Sequence, residues 1–313
     1  MVGVPAPGDG AGRRDENRRG LRPSTSRATT PANRPTYETP DTRWRSASCR
    51  VRQDRGMTST LGVDLASQDK KTALCEIAWE RPARVVRLEL GVDDAAIVAA
   101  AAGDGVQLLA IDAPFGWPEP FVRAVRAHHD GEGFPVAAGD RPGREPFYLR
   151  ETDRHVIAQT GKRPLSVSTD KIAYIALRCA GLLRTIGERD PALVPRDGSG
   201  LVAEVYPGAA LVRWAPTLGC PTAGYRGAAP ENPARTALAA ALLDATGVAA
   251  DAAQRALLAR SEDALDAFVT AVLARVVALG RSEPVPDALR ELARREGWIH
   301  VPRADALDGS LQE

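Results

Sequence analysis

The chain has 313 residues, a formal net charge of +1, and 44% hydrophobic against 26% charged residues, enough apolar material to bury one large core or two small ones. The charge is uneven: residues 1–56 hold 12 Arg against 6 acids, and the remainder holds 29 basic against 34 acidic residues. A mildly acidic folded part weighs against extensive duplex binding, which rests on neutralised phosphates, and four scattered Cys (Cys49, Cys75, Cys179, Cys220) weigh against a zinc ribbon or a disulfide framework.

Residues 1–56 are rich in Arg, Pro, Gly, Ser and Thr and lack apolar periodicity. Such a segment cannot offset the entropy of ordering, so it is expected to be a disordered tail, or a mis-assigned start if translation begins at Met57. From there the alternating pattern predicts strands over 59–65, 72–80 and 83–91, joined by short polar turns as an antiparallel meander. An acid-opened, Ala-rich helix is predicted over 93–102, and a fourth strand over 106–112.

Residues 113–168 break the pattern with Pro114, Pro118, Pro120, Pro135, Pro142, Pro146 and many Gly, which reads as a loop-rich insertion after the fourth strand. A helix follows over 170–187, then a strand over 201–206 stopped by Pro207. Helices are predicted over 207–214, 233–246, 250–260, 261–279 and 285–295, before an extended stretch over 298–302 and a short tail over 304–313. The expected fold is α/β, with one domain over 57–303 and a mixed sheet flanked by helices. There is no N-terminal apolar leader, and the longest apolar stretches, around 95–102 and 267–279, are short or interrupted by Arg275. A cytoplasmic protein without membrane contact is therefore expected.

Chemistry concentrates in a few carboxylates. Asp64 in STLGVDLAS and Asp112 in VQLLAIDAPFGWP each end an apolar strand, which is how an α/β sheet delivers an acidic site to its C-terminal edge. In SEDALDAFVTAVLARVVALG, Ser261 is the expected N-cap, and Leu265, Phe268, Val269, Val272, Leu273 and Val276 share one face. Asp266 falls at the margin of that stripe and needs a partner there, with Asp263 one turn earlier. Glu204 from LVAEVYP is the fourth candidate. Singly, each acid has an ordinary reading: a strand-end turn, an Asp-x-Pro turn, a solvated strand position, a helix-dipole partner. Jointly they suggest a cluster that repels itself unless Mg²⁺ or Mn²⁺ neutralises it, with two ions able to activate water at a phosphodiester.

The motifs GVDLA, AIDAPFGWP, LRETD, SVSTDKIA, EVYP, EDALDAFVTAVLAR and EGWIHVP, in that order over roughly residues 59–302, resemble a family of predicted nucleases of the ribonuclease H-like superfamily, domain of unknown function 429. The resemblance implies a ribonuclease H-like mixed sheet, three antiparallel strands and then parallel additions, and a divalent-metal-dependent nuclease. It places the first-strand aspartate of the superfamily at Asp64, the fourth-strand acid at Asp112 and the late-helix acid at Asp266 or Asp263. Glu204 belongs to the family's own motif. The Asp263/Asp266 pair looks like that of Holliday-junction resolvases.

In EPFYLRETDRHV and downstream, Arg150, Arg154 and Lys171 are the expected contacts to substrate phosphate, with an Arg150–Asp153 salt bridge as the ordinary alternative. His128 and His129 lack a triad-like or metal-ligand context and read as solvated. RNA, an RNA–DNA hybrid and branched DNA all remain open as partners, as does oligomeric state. Two rivals stand beside the nuclease. An actin-like phosphotransferase needs a glycine-rich phosphate hairpin, and Ala66 occupies the place where that glycine would follow Asp64. A non-catalytic nucleic-acid-binding protein has no reason to keep several mutually repelling acids.

Overall fold

A computed structural model of the chain describes residues 58–227, 229, 231–308 and 311–312. The expectations for residues 1–56 and for Met57 lie outside the described residues. Five strands, β1 (Ser59–Asp64), β2 (Ala73–Ala78), β3 (Arg84–Leu90), β4 (Val106–Asp112) and β5 (Val202–Glu204), form a mixed sheet in the order β3-β2-β1-β4-β5. β1, β2 and β3 pair antiparallel as the meander predicted, and β4 and β5 add parallel to β1. The parallel step from β1 to β4 needs a crossover, provided by α1 (Asp94–Ala101), whose N-cap Asp93 accepts a hydrogen bond from the Ala96 amide at 2.8 Å.

The period-2 alternation sorts the sheet into two apolar faces. Leu61, Val63, Leu74, Leu109, Ile111 and Val202 point to the face covered by α1 and α4 (Ile172–Gly187), where Ile97, Cys179, Leu182 and Ile186 pack on them. Ala73, Cys75, Ile77, Leu108, Ala110 and Ala203 point to the other face, covered by α8 (Glu262–Ala278). Behind α8 lie α5 (Pro207–Leu218), α6 (Pro233–Thr246) and α7 (Ala252–Arg260).

Helix α8 departs from its amphipathic pattern. Every residue from Ala264 to Val276 is buried, because the sheet takes one side and the outer helices the other. Its approach to β1 depends on Gly62, where a Cβ would overlap the backbone nitrogen of Ala271 and the carbonyl oxygen of Ala267. Beside it Thr60 donates to the Ala271 carbonyl at 2.9 Å and accepts from the Trp79 indole at 2.8 Å, so a polar strand residue is satisfied inside the core.

Three further expectations need correction. The segment 113–168 is not loop throughout: it holds α2 (Glu119–His129), α3 (Glu151–Thr160) and a 3₁₀ turn at Pro142–Phe147. Pro118 and Pro120 sit at the start of α2, where a missing N–H costs nothing, so prolines that read as breakers act as initiators. The helix predicted over 285–295 is a 3₁₀ turn at Asp287–Leu289 leading into the shorter α9 (Arg290–Glu296). The supposed tail after residue 303 buries Ala306, Leu307 and Leu311 in the α8-side core, and the Leu311 carbonyl accepts from the Arg275 guanidinium at 2.8 Å.

Residues 298–302 run alongside β5 without forming a strand, the His300 amide donating to the Glu204 carbonyl at 2.9 Å. Ala249 does the same at β3, its carbonyl accepting from the Val85 amide at 2.9 Å. Both sheet edges are thereby partly covered. Among the described residues no helix is long and apolar enough to cross a membrane.

Candidate functional site

Asp64 is the last residue of β1 and Asp112 the last of β4, and the parallel register sets them directly opposite one another. Both follow the even-numbered positions Thr60, Gly62, Leu108 and Ala110, so alternation aims both carboxylates to the α8 face of the sheet. The N-terminal turn of α8 then brings Asp263 and Asp266 to the same place. All four line a cleft of about 330 Å³ at the C-terminal edge of the sheet. Its opposite wall is apolar, formed by Pro164, Leu165, Ile172 and Ile175.

Neither Asp64 nor Asp112 accepts a side-chain hydrogen bond from a described residue. Burial first, and then the like charges of Asp266, Asp112 and Asp263, hold the Asp64 carboxyl well above the usual range, against the pull of Arg226. Burial and Asp266 push Asp112 up to about 8, again opposed by Arg226. Asp263 is raised by burial and by Glu262. Two adjacent carboxylates without a hydrogen-bond donor among the described residues are an unusual thing for a fold to keep, because burial and neighbouring like charge make both harder to ionise.

Asp266 found the partners its position demanded. Its Oδ1 accepts from the Tyr225 hydroxyl at 2.8 Å and its Oδ2 pairs with the Arg226 guanidinium at 2.9 Å. Arg226 also donates to the Tyr225 hydroxyl at 3.1 Å. Tyr225 and Arg226 lie in a Gly- and Pro-rich stretch between α5 and α6, where nothing periodic marks them in the sequence. Lys71 and Tyr206 line the cleft as well, and Tyr206 is held above its ordinary value by burial, Asp112 and Asp266. Neither was singled out beforehand. Tyr206 had a signal, its place in the EVYP motif beside Glu204.

Glu204 is in a different situation. By alternation from Val202 it belongs to the α4 face of the sheet, yet it still borders the same cleft, where its charge adds to the rise of Asp112. Both of its oxygens are taken by Arg150, at 2.7 and 3.0 Å, and one also accepts from the Phe115 amide at 3.1 Å. Asp153 holds the rest of that guanidinium, at 2.9 and 3.2 Å. Burial still leaves the Glu204 carboxyl raised, although Arg150 works to lower it. Gly297, at φ 90°, passes so close that a Cβ there would press on Glu204 and Arg150.

The phosphate contacts expected from sequence are not brought together. Arg150 borders the acidic cleft but is only 2% exposed and its donors are spent inside the protein, so the ordinary ion-pair reading holds and is extended by Glu204. Arg154 bonds the Leu149 carbonyl and Glu151 and lines a second, larger cleft between α2, α3 and α9. There Glu296 caps two helices at once, accepting from the Glu119 amide at 2.7 Å and the Glu151 amide at 3.0 Å. Lys171 is exposed at the start of α4 and does not line the acidic cleft. His128 and His129 are exposed, as expected.

A family model described as Protein of unknown function (DUF429) matches residues 62–291. The chain belongs to this family. The DUF429 match spans β1 to the start of α9 and so includes Asp64, Asp112, Glu204, Asp263 and Asp266. Neither the curated proteins nor the solved structures contain a match.

The donor set can be tested against a divalent ion. Among the described residues no group of three or more His, Cys, Asp or Glu stands ready to hold a metal, and Asp266 is engaged with Arg226. Mg²⁺ does not require such a group: it is commonly held by one or two carboxylates, with water and substrate phosphate oxygens filling its shell. Asp64 and Asp112, side by side with unshared oxygens, fit that requirement.

Proposed function

We propose that the cleft is the active centre of a divalent-cation-dependent phosphodiesterase acting on nucleic acid. The observation that carries the reading is the Asp64–Asp112 pair, in register, on one sheet face and without a hydrogen-bond donor among the described residues. Such a pair is destabilising by itself and becomes favourable once a hard cation neutralises it. Asp64 and Asp112 would hold the ion, and a second would need Asp263 together with an Asp266 released from Arg226. A bound Mg²⁺ or Mn²⁺ supplies a water acidic enough to attack phosphorus and a counter-charge for the leaving oxygen.

The chain's own residues do the rest. Lys71 and Arg226 carry positive charge at the cleft for the phosphate oxygens. The apolar wall of Pro164, Leu165, Ile172 and Ile175, partly open to solvent, offers a surface for the sugar or base. Strand order β3-β2-β1-β4-β5, with acids ending β1 and β4 and a third on the helix packed across them, supports the ribonuclease H-like reading of the fold. The test is incubation with Mn²⁺ or Mg²⁺ against single-stranded, duplex, hybrid and four-way-junction substrates, beside Asp64→Asn and Asp112→Asn. Cleavage by the wild type alone is expected. Absence of cleavage on every substrate, or full activity in both variants, overturns the reading.

A further inference from the structure

Arg226 differs from the other buried-site arginines in how it is held. Its backbone is clamped: Arg235, fully buried, donates to the carbonyls of Tyr225 at 2.8 Å, Gly227 at 2.5 Å and Arg260 at 2.9 Å. The Gly227 amide is bound in turn by Glu262, from the first turn of α8. The Arg226 side chain, in contrast, is 53% exposed, whereas the Asp266 side chain it pairs with is 7% exposed. A fixed root with a half-exposed side chain, whose guanidinium is held by the Asp266 carboxylate and the Tyr225 hydroxyl, is the arrangement of a group able to change partners.

Its field reaches the whole cluster. Arg226 opposes the rise that burial imposes on the carboxyls of Asp64, Asp112, Asp263 and Asp266. It is therefore a counter-ion common to the four acids, preceded at Asp263 by Lys71 and Arg235. A divalent cation arriving between Asp64 and Asp112 would take over that role and repel the guanidinium. An anionic phosphate oxygen entering with the cation would offer Arg226 a new partner of matching geometry.

Resting on the phosphodiesterase reading, we infer that Arg226 exchanges partners on substrate binding, leaving Asp266 for a non-bridging oxygen of a phosphodiester monoanion and so freeing the Asp266 carboxylate to join the cation shell. Arg226 is thus the substrate-binding cation of the cleft and its resting-state plug. This assigns the phosphate contact to a residue that the motif-based candidates Arg150, Arg154 and Lys171 do not include.

The experiment uses the full chain, Mn²⁺ alone by calorimetry, and bis(p-nitrophenyl) phosphate as a minimal phosphodiester. Arg226→Met is expected to bind Mn²⁺ more tightly than wild type, by about 3- to 10-fold, because Asp266 is released. Placed on Asp266→Asn, the same change should gain nothing, which separates a freed ligand from a mere loss of positive charge. The KM for the diester should rise about tenfold, as for loss of a charge-assisted contact, with kcat little altered and partial rescue in Arg226→Lys. Arg226→Gln, which can still reach the Tyr225 hydroxyl, serves if the Met variant melts early. Equal Mn²⁺ affinity together with an unchanged KM sinks the exchange and leaves the phosphodiesterase reading standing. No Mn²⁺ bound by either protein and no turnover sinks both.

Discussion

At the scale of single residues, the cleft holds charge against the interest of the fold. Asp112 has its folded-state value raised from 3.8 to about 8. The unfolded chain therefore loses this proton first as the pH rises, and ionisation of Asp112 reduces stability across that window. At pH 7.5 without metal, Asp112→Asn should raise the melting temperature, by about 2–4 °C for each kcal/mol regained in a domain of this size. Added Mn²⁺ should stabilise the wild type and not the variant. A melting temperature below wild type for Asp112→Asn would show that the carboxylate is better satisfied than its surroundings indicate. Arg150 behaves oppositely. It neutralises Glu204 and Asp153 in a space closed to water, so Arg150→Ala should cost about 3–5 kcal/mol by stranding buried charge. A thermal or urea melt within about 1 kcal/mol of wild type would refute that account.

At the scale of elements, the contact between β1 and α8 governs the site, because one carries Asp64 and the other Asp263 and Asp266. Gly62 sets the distance between them. Gly62→Ala must push the helix away or bend the strand, at a cost of about 1–3 kcal/mol from overpacking. The same displacement separates the acids, so Mn²⁺-dependent cleavage should fall more than folded population does. Circular dichroism and activity measured on the same sample distinguish the two effects: loss of activity only in proportion to loss of fold would mean the spacing is unimportant. Strands and most helices were legible in the sequence because alternation and 3.6-residue periodicity survive in them. The insertion was not: its prolines stop a chain in one context and start α2 in another, depending on whether an N–H is needed. Nor was the full burial of α8, whose second covering layer comes from α5, α6 and α7.

At the scale of the whole molecule, distant segments are tied together by polar groups whose ionisation links folding to pH. His300, from the extended stretch after α9, is buried, its ring within reach of the Asp197 carbonyl at 3.2 Å and Ser282 at 3.4 Å. Burial pushes it down to about 4. The unfolded imidazole binds its proton first as the pH falls, so stability is fully present above about 6.5 and is lost progressively toward 4. The full shift corresponds to about 3 kcal/mol. Asp64 and Asp112 slope the other way, so the comparison to make is wild type against His300→Gln from pH 7.5 to 4.5. The gap between the two melting curves should narrow as the pH falls; a constant gap would mean that the folded ring takes up its proton over the same pH range as the unfolded one.

The sequence by itself determined the strand and helix order, the two faces of the sheet, and the delivery of Asp64 and Asp112 to one edge, since these follow from local periodicity and from where apolar runs stop. Tertiary structure alone decided how each charge is answered. Glu204 and Arg150, 54 positions apart, close on each other, and Arg226 settles on Asp266 from 40 positions away. A side chain's charge is written in its own residue, but the dielectric around it and the partner it meets are properties of whatever folding packs beside it.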